Sequence, residues 1–270
     1  MRRIPRIING QKTERRIEMN AEMGKVVAKV PAATLVFWIL KIFATTLGET
    51  GGDAVSMSMN LGYLVGTAIF ALIFLVMVSF QVSAKRFHPP LYWLTIIATT
   101  TVGTTMADFA DRSLGIGYAG GTTILAVLLI ASLGIWYWTM GSISIDTVSS
   151  RKAEIFYWVT IMFSQTLGTA LGDWTADTQG MGYVGGTILF GSLLAILAIL
   201  YLTKKVPSSI LFWAAFILTR PLGAVVGDLL DKPLASGGLN LSRFAASAAL
   251  LGLIALGILI FPQKAAQKSH

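Results

Sequence analysis

The sequence predicts an all-α polytopic membrane protein, with eight transmembrane helices arranged as four parallel helical-hairpin repeats in two pseudo-symmetric halves. Three observations lead there. Apolar runs close to the ~20 residues that cross a bilayer recur along the chain. Hydrophobic side chains make up 54% of the 270 residues and charged ones only 13%, about half the charged share of a soluble domain. One motif also returns four times in a fixed register.

The motif begins with an aromatic pair ending in Trp: Phe37-Trp38, Tyr92-Trp93, Tyr157-Trp158 and Phe212-Trp213. Fifteen residues after each Trp stands an Asp: Asp53, Asp108, Asp173 and Asp228. A Gly lies five residues before each Asp (Gly48, Gly103, Gly168, Gly223), and a small residue directly before it (Gly52, Ala107, Gly172, Gly227). Three copies continue to a Tyr ten residues on, at Tyr63, Tyr118 and Tyr183. The intervals between the Asp residues are 55, 65 and 55, so copies 1 and 2 form one half and copies 3 and 4 repeat it.

Each copy holds two apolar spans. The expected helices are 31–50, 61–82, 90–109, 114–138, 154–173, 181–202, 208–229 and 241–261, with Pro31 and Pro207 suited to first turns. Around them the chain divides into a basic arm over 1–30, membrane halves over 31–139 and 154–262, a connection over 140–153 and a tail over 263–270. With two helices per copy, every copy enters from the same side, so the repeats are parallel. Sixteen of the 21 Lys and Arg fall on the Trp side of the spans. By the positive-inside rule that side, with both termini, is cytoplasmic. The repeat Trp residues read as interface anchors, and the basic arm as a segment resting on anionic lipid. The arm shows no cleavable signal pattern.

Charge inside such spans calls for an explanation, because intramembrane acids persist mainly where they face a cavity or hold something. Eight of the thirteen acids belong to the motifs: the four Asp, Glu49, and Asp111, Asp177 and Asp231 just beyond. Residues four and seven before an Asp share its helix face, which sets Glu49 and Thr46 beside Asp53, Thr104 beside Asp108, and Thr169 beside Asp173. The Gly pairs form small-xxx-small faces that let helix backbones approach closely. The candidate cation-binding or proton-carrying residues are therefore Asp53, Asp108, Asp173, Asp228 and Glu49. Thr46, Thr104 and Thr169 are secondary ligands, and Lys41, Arg220 and Arg243 are charge partners. Carboxylate and hydroxyl oxygens suit hard ions such as Mn²⁺, Mg²⁺, Ca²⁺, Na⁺ or H⁺.

The absence of Cys excludes disulfides, thiolate metal sites and iron–sulfur clusters. Two His, one in a loop and one at the last position, leave no basis for a haem or a His-built zinc site. No Ser/His, Cys/His or metal–His constellation supports an intramembrane enzyme. The +8 net charge is spread between the spans and does not form a nucleic-acid patch.

The stretch KVPAATLVFWILKIFATTLGETGGD, residues 29–53, with its weaker echoes to about residue 262, resembles the bacterial membrane-protein family defined by a four-times repeated domain of unknown function. That resemblance implies a bacterial inner-membrane location and supplies no substrate. Copy 4 departs most: Arg220-Pro221 replaces the Thr-Thr or Gln-Thr of the other copies, which favours two halves over strict fourfold equivalence. The sequence thus points to a transporter of a hard cation, of the Mn²⁺ or Mg²⁺ kind, coupled to protons through a carboxylate-lined central site. Its partners would be the lipid bilayer and the ion, with no covalent cofactor, and a homo-oligomer is compatible with it. The competing expectation is a membrane scaffold or assembly subunit with structural acids.

Overall fold

A computed structural model describes residues 28–266. Residues 1–27 of the basic arm and 267–270 of the tail lie outside the described residues. Eight α-helices are present among the described residues: α1 Leu35–Asp53, α2 Gly62–Ser83, α3 Pro89–Asp108, α4 Gly117–Met140, α5 Arg151–Asp173, α6 Gly182–Thr203, α7 Ser208–Asp231 and α8 Arg243–Ile260. Their count and order follow the hydropathy pattern.

Local chemistry sets the ends. The Thr34 and Ser150 side chains accept hydrogen bonds from Phe37 N and Ala153 N, each at 3.2 Å, and start α1 and α5. Pro31 is not in the first turn of α1 as expected. It lies in an antiparallel bridge with Ala265, which takes it out of helical conformation. Directly after Asp53, Asp108 and Asp173 the chain makes one π-helical stretch: Ala54–Ser58, Phe109–Ser113 and Trp174–Thr178. The return to the even helix then uses left-handed residues at two fixed positions, Asn60/Gly62, Gly115/Gly117 and Gly180/Gly182. Only Gly, and less readily Asn, adopts that conformation without strain. Copy 4 lacks the π stretch, and α7 runs on to Asp231.

The odd helices form a closed ring, α1 against α3, α3 against α5, α5 against α7 and α7 against α1. Each even helix packs outside the odd helix of the next repeat: α2 on α3, α4 on α5, α6 on α7, and α8 back on α1. Along the chain the 140–153 connection separates two halves, but in space α5 packs on α3 across it.

Five helices, α2, α4, α6, α7 and α8, are long and apolar enough to cross a membrane. Four of them are the outer ones, and α2 buries only Gly66 and Gln81 while exposing Leu64, Leu72, Leu75 and Phe80. The polar content of α1, α3 and α5 is turned inward. Thr45, Thr95, Thr99, Thr100, Thr104, Thr160, Gln165 and Thr169 are all fully buried.

The glycines close the ring by one rule. A Cβ on Gly48 would stand 2.9 Å from Thr100 Cβ of α3, one on Gly103 3.0 Å from the Gln165 backbone of α5, and one on Gly223 2.8 Å from the Thr45 backbone of α1. On Gly168 it would collide with Arg220 of α7. Each Gly five before an Asp thus receives the residue eight before the Asp of the next ring helix.

At the Trp end the ring is filled by aromatic rings. Trp93, Trp158 and Trp213 are buried, not arrayed at a lipid interface as expected. Tyr92 and Tyr157 share a hydroxyl hydrogen bond of 2.7 Å, and Trp213 Nε1 donates to Ile143 O at 2.9 Å. The last residues of the arm cross this end. Lys29 N donates to Val148 O at 2.9 Å, Ala266 N to Val30 O at 2.8 Å, and Lys29 Nζ pairs with Glu154 Oε1 at 2.6 Å. Residues 28–30 are therefore buried in protein rather than resting on lipid.

Candidate functional site: a carboxylate cluster on the ring axis

Because the four odd helices are parallel and in register, equivalent positions stack as layers. The last layer is Asp53, Asp108, Asp173 and Asp228, all buried. One turn before it, Glu49, Thr104, Thr169 and Ala224 form a second layer. Glu49, Asp173 and Asp228 each bring a carboxylate oxygen within 4.8 Å of the others, as do Glu49, Asp53 and Asp108, and Asp53, Asp228 and Asp231. Five expected acids from four repeats thus converge, and Asp231 joins them.

Basic side chains penetrate this cluster from both sides. Arg220 of α7, fully buried, extends along the axis. It donates to Glu49 Oε2 at 3.0 Å, Thr45 O at 3.2 Å, Gln165 O at 3.2 Å and the hydroxyls of Thr104 and Thr169. It is bonded to all three other ring helices at once. From the other side Lys232 Nζ bridges Asp53 Oδ2 (2.6 Å) and Asp228 Oδ1 (3.0 Å). Arg112 bridges Asp108 Oδ1 (2.9 Å) and Asp173 Oδ2 (3.1 Å). Arg243 pairs with Asp231 Oδ2 at 3.1 Å and approaches Asp53 Oδ2 at 3.7 Å. Burial opposes the Lys232 ammonium, but Asp228 and Asp53 outweigh it and hold its pKa above the ordinary lysine value.

The expected partners thus divide. Arg220 and Arg243 meet acids. Lys41 does not: its ammonium lies 4.2 Å from the centroid of the Phe216 ring and has no hydrogen-bond acceptor. Thr104 and Thr169 line the site through Arg220. Thr46 does not: it lies at the α1–α7 contact, its carbonyl 3.4 Å from where a Gly227 Cβ would stand. Of the acids beyond the motif, Asp177 is exposed. Asp111 is buried apart from the cluster with both oxygens unpartnered, and burial raises its carboxyl to about 6, with Arg112 opposing.

Arg112 and Lys232 fall between the spans expected from sequence, on the side away from the Trp residues, yet both clamp ring acids. Their signal is the four-residue spacing from Asp108 and Asp228, which one more helical turn brings back over the Asp. Two of the three motif tyrosines serve the Arg112 clamp. Tyr63 OH accepts from Arg112 at 3.3 Å, and the Tyr63 and Tyr118 rings lie 5.9 and 5.8 Å from its guanidinium carbon.

Six carboxylates (Glu49, Asp53, Asp108, Asp173, Asp228, Asp231) face four basic groups (Arg112, Arg220, Lys232, Arg243). Two negative charges stay uncompensated when all are ionised. Asp173 Oδ1 and Asp231 Oδ1 are buried with no hydrogen bond, and each ion pair uses the other oxygen. Oxygens from several carboxylates within 4.8 Å suit a hard cation, which takes six or more oxygen ligands.

A closed ring of four helical hairpins around buried acids defines the class: an all-helical, internally repeated protein with a carboxylate centre. The chain belongs to the family described as Repeat of Unknown Function (DUF347), which matches residues 36–87, 91–142, 156–206 and 211–264. No curated protein and no solved structure matches it.

Proposed function

We propose that this chain is an integral membrane protein whose eight helices all span the bilayer, with both termini cytoplasmic in a bacterial inner membrane. In this reading it moves a hard divalent cation, Mn²⁺ or Mg²⁺, in exchange for protons through the carboxylate centre. The observation that carries the reading is the convergence of Glu49 and the four ring Asp, one or more from every repeat, within 4.8 Å groups on the axis. The apolar outer helices account for the membrane. The two uncompensated charges match one divalent ion or two protons, and that equivalence is what coupling needs.

A second reading has its own support. Each ring acid already has a basic partner, as in a scaffold whose ion pairs fix helix register. Calorimetric titration of Mn²⁺, Mg²⁺ and Ca²⁺ into the purified chain at two pH values separates the two. The transporter reading expects saturable binding near one ion per chain, weaker at the lower pH, and Mn²⁺ uptake by proteoliposomes. It is abandoned if the parent binds no ion at either pH.

A further inference from the structure

Past Arg220, toward the aromatic end, the axis changes sign. The three layers there are Thr45, Thr100, Gln165 and Arg220, then Lys41, Ile96, Ile161 and Phe216, then Phe37, Tyr92, Tyr157 and Phe212, and none of these is an acid. Arg220 is balanced by Glu49 at 3.0 Å. Lys41, fully buried, has only the face of Phe216 at 4.2 Å. An aromatic face returns less than the cost of taking an ammonium out of water, so a protonated Lys41 calls for a counter-ion. Polar groups on the other ring helices toward this end also lack partners. The Thr100 and Ser164 hydroxyls and both the nitrogen and the oxygen of the Gln165 amide are fully buried and hydrogen-bonded to nothing. The Tyr92–Tyr157 pair uses one of its two hydroxyl protons in its mutual bond. This part of the axis holds unused donors and, with Lys41 protonated, one positive charge that no acid balances.

We propose that Lys41 anchors a second ligand site, for a small monovalent inorganic anion of the halide class, between the Arg220 guanidinium and the Tyr92–Tyr157 pair. The available donors are one ammonium, separate hydroxyls and one amide. The forked guanidinium of Arg220 is already committed to Glu49, Thr45, Gln165, Thr104 and Thr169. Scattered donors suit a spherical anion, whereas a planar carboxylate or a phosphate is recognised by a fork. The site does not rest on the cation reading, since it shares none of the carboxylates.

The test uses the full chain, purified and exchanged into gluconate, with bromide as the probe. Saturable binding of one bromide per chain is expected by calorimetry, with a rise of a few degrees in melting temperature. Lys41→Met removes the uncompensated charge and should lose the bromide response while melting in gluconate no lower than the parent. Asp173→Asn should keep the response, which separates this site from the cation centre. Should Lys41→Met fail to fold, anomalous scattering from bromide-soaked crystals of the parent decides, with a peak expected beside Lys41 Nζ and Phe216. A parent with no saturable bromide uptake, or crystals with no such peak, overturns the proposal.

Discussion

A buried guanidinium bonded to three neighbouring helices cannot be removed without leaving its partner exposed to the same low dielectric. Arg220→Met would strand Glu49 as an unpaired charge and take from Thr45 O and Gln165 O the second donor each has beyond its own helix bond. The expected loss is about 3–5 kcal/mol, read by thermal or denaturant unfolding in detergent. Adding Glu49→Gln to that variant should recover more than half of it, because the stranded charge is then gone. Equal losses in the single and double variants would mean that the pair does not carry the energy. At this scale the sequence was legible where spacing did the work. The four Asp, Glu49, Thr104 and Thr169 come together because parallel helices in register turn equal sequence positions into one layer. Lys41 was misplaced for a metric reason. Twelve residues of helix put it about 18 Å along the axis from Asp53, beyond the reach of a lysine side chain. The pull of Arg112 and Lys232 back over the Asp depends on how the helix continues past it, a π stretch in one case and an α turn in the other. No residue pattern in a single copy states that choice.

Among the elements, the odd helices are held by contacts that only glycine permits, and the ring rule makes the consequence specific. A methyl group on Gly168 would meet the Arg220 side chain and Pro221 Cδ, neither of which can retreat from the ring centre. Gly168→Ala should therefore cost about 1–3 kcal/mol by overpacking. Gly134 of α4 has nothing within 4 Å of an added Cβ, so Gly134→Ala should be neutral or gain up to ~1 kcal/mol from helix propensity. Melting both variants in the same detergent checks the pair. If they melt alike, close backbone approach is not what closes the ring. The small-xxx-small spacing made the tight faces legible, but not which helix each face meets. That follows from cyclic order: α2 packs on the next repeat instead of its own α1, and a hairpin signal in sequence does not distinguish the two. Helices α1, α3 and α5 also fall below the apolarity of a lone span. Their threonines are buried against ring neighbours, so the polar face that weakens the hydropathy signal is the one that builds the centre.

The whole molecule has fourfold packing and twofold charge. Every ring contact follows one rule, yet only copies 2 and 4 carry a basic residue four after the Asp, and each bridges to the Asp of the next copy: Arg112 joins Asp108 to Asp173, and Lys232 joins Asp228 to Asp53. The 120-residue half-repeat seen in the sequence thus survives in the electrostatics, while the packing treats the four copies as equals. Its consequence separates the two readings of the centre. Lys232→Gln raises the uncompensated charge of the cluster from two to three and frees one carboxylate pair. If the centre holds a divalent cation, Mn²⁺ should bind about tenfold tighter or better to Lys232→Gln, and binding should fall more steeply as pH drops, because protons compete for the same freed oxygens. The loss of the lysine also costs stability. Its pKa is raised in the folded chain, so its contribution is complete below the ordinary lysine value of 10.5 and fades only as pH rises through the higher folded value. Between pH 6 and 8 the Lys232 share of the melting difference between parent and variant should accordingly stay constant in the absence of metal, while the difference in Mn²⁺ affinity changes. Calorimetric titrations and melts over that range measure both. A variant that melts lower but binds Mn²⁺ no better than the parent would show that the acids serve the ion pairs alone, and the scaffold reading would then stand.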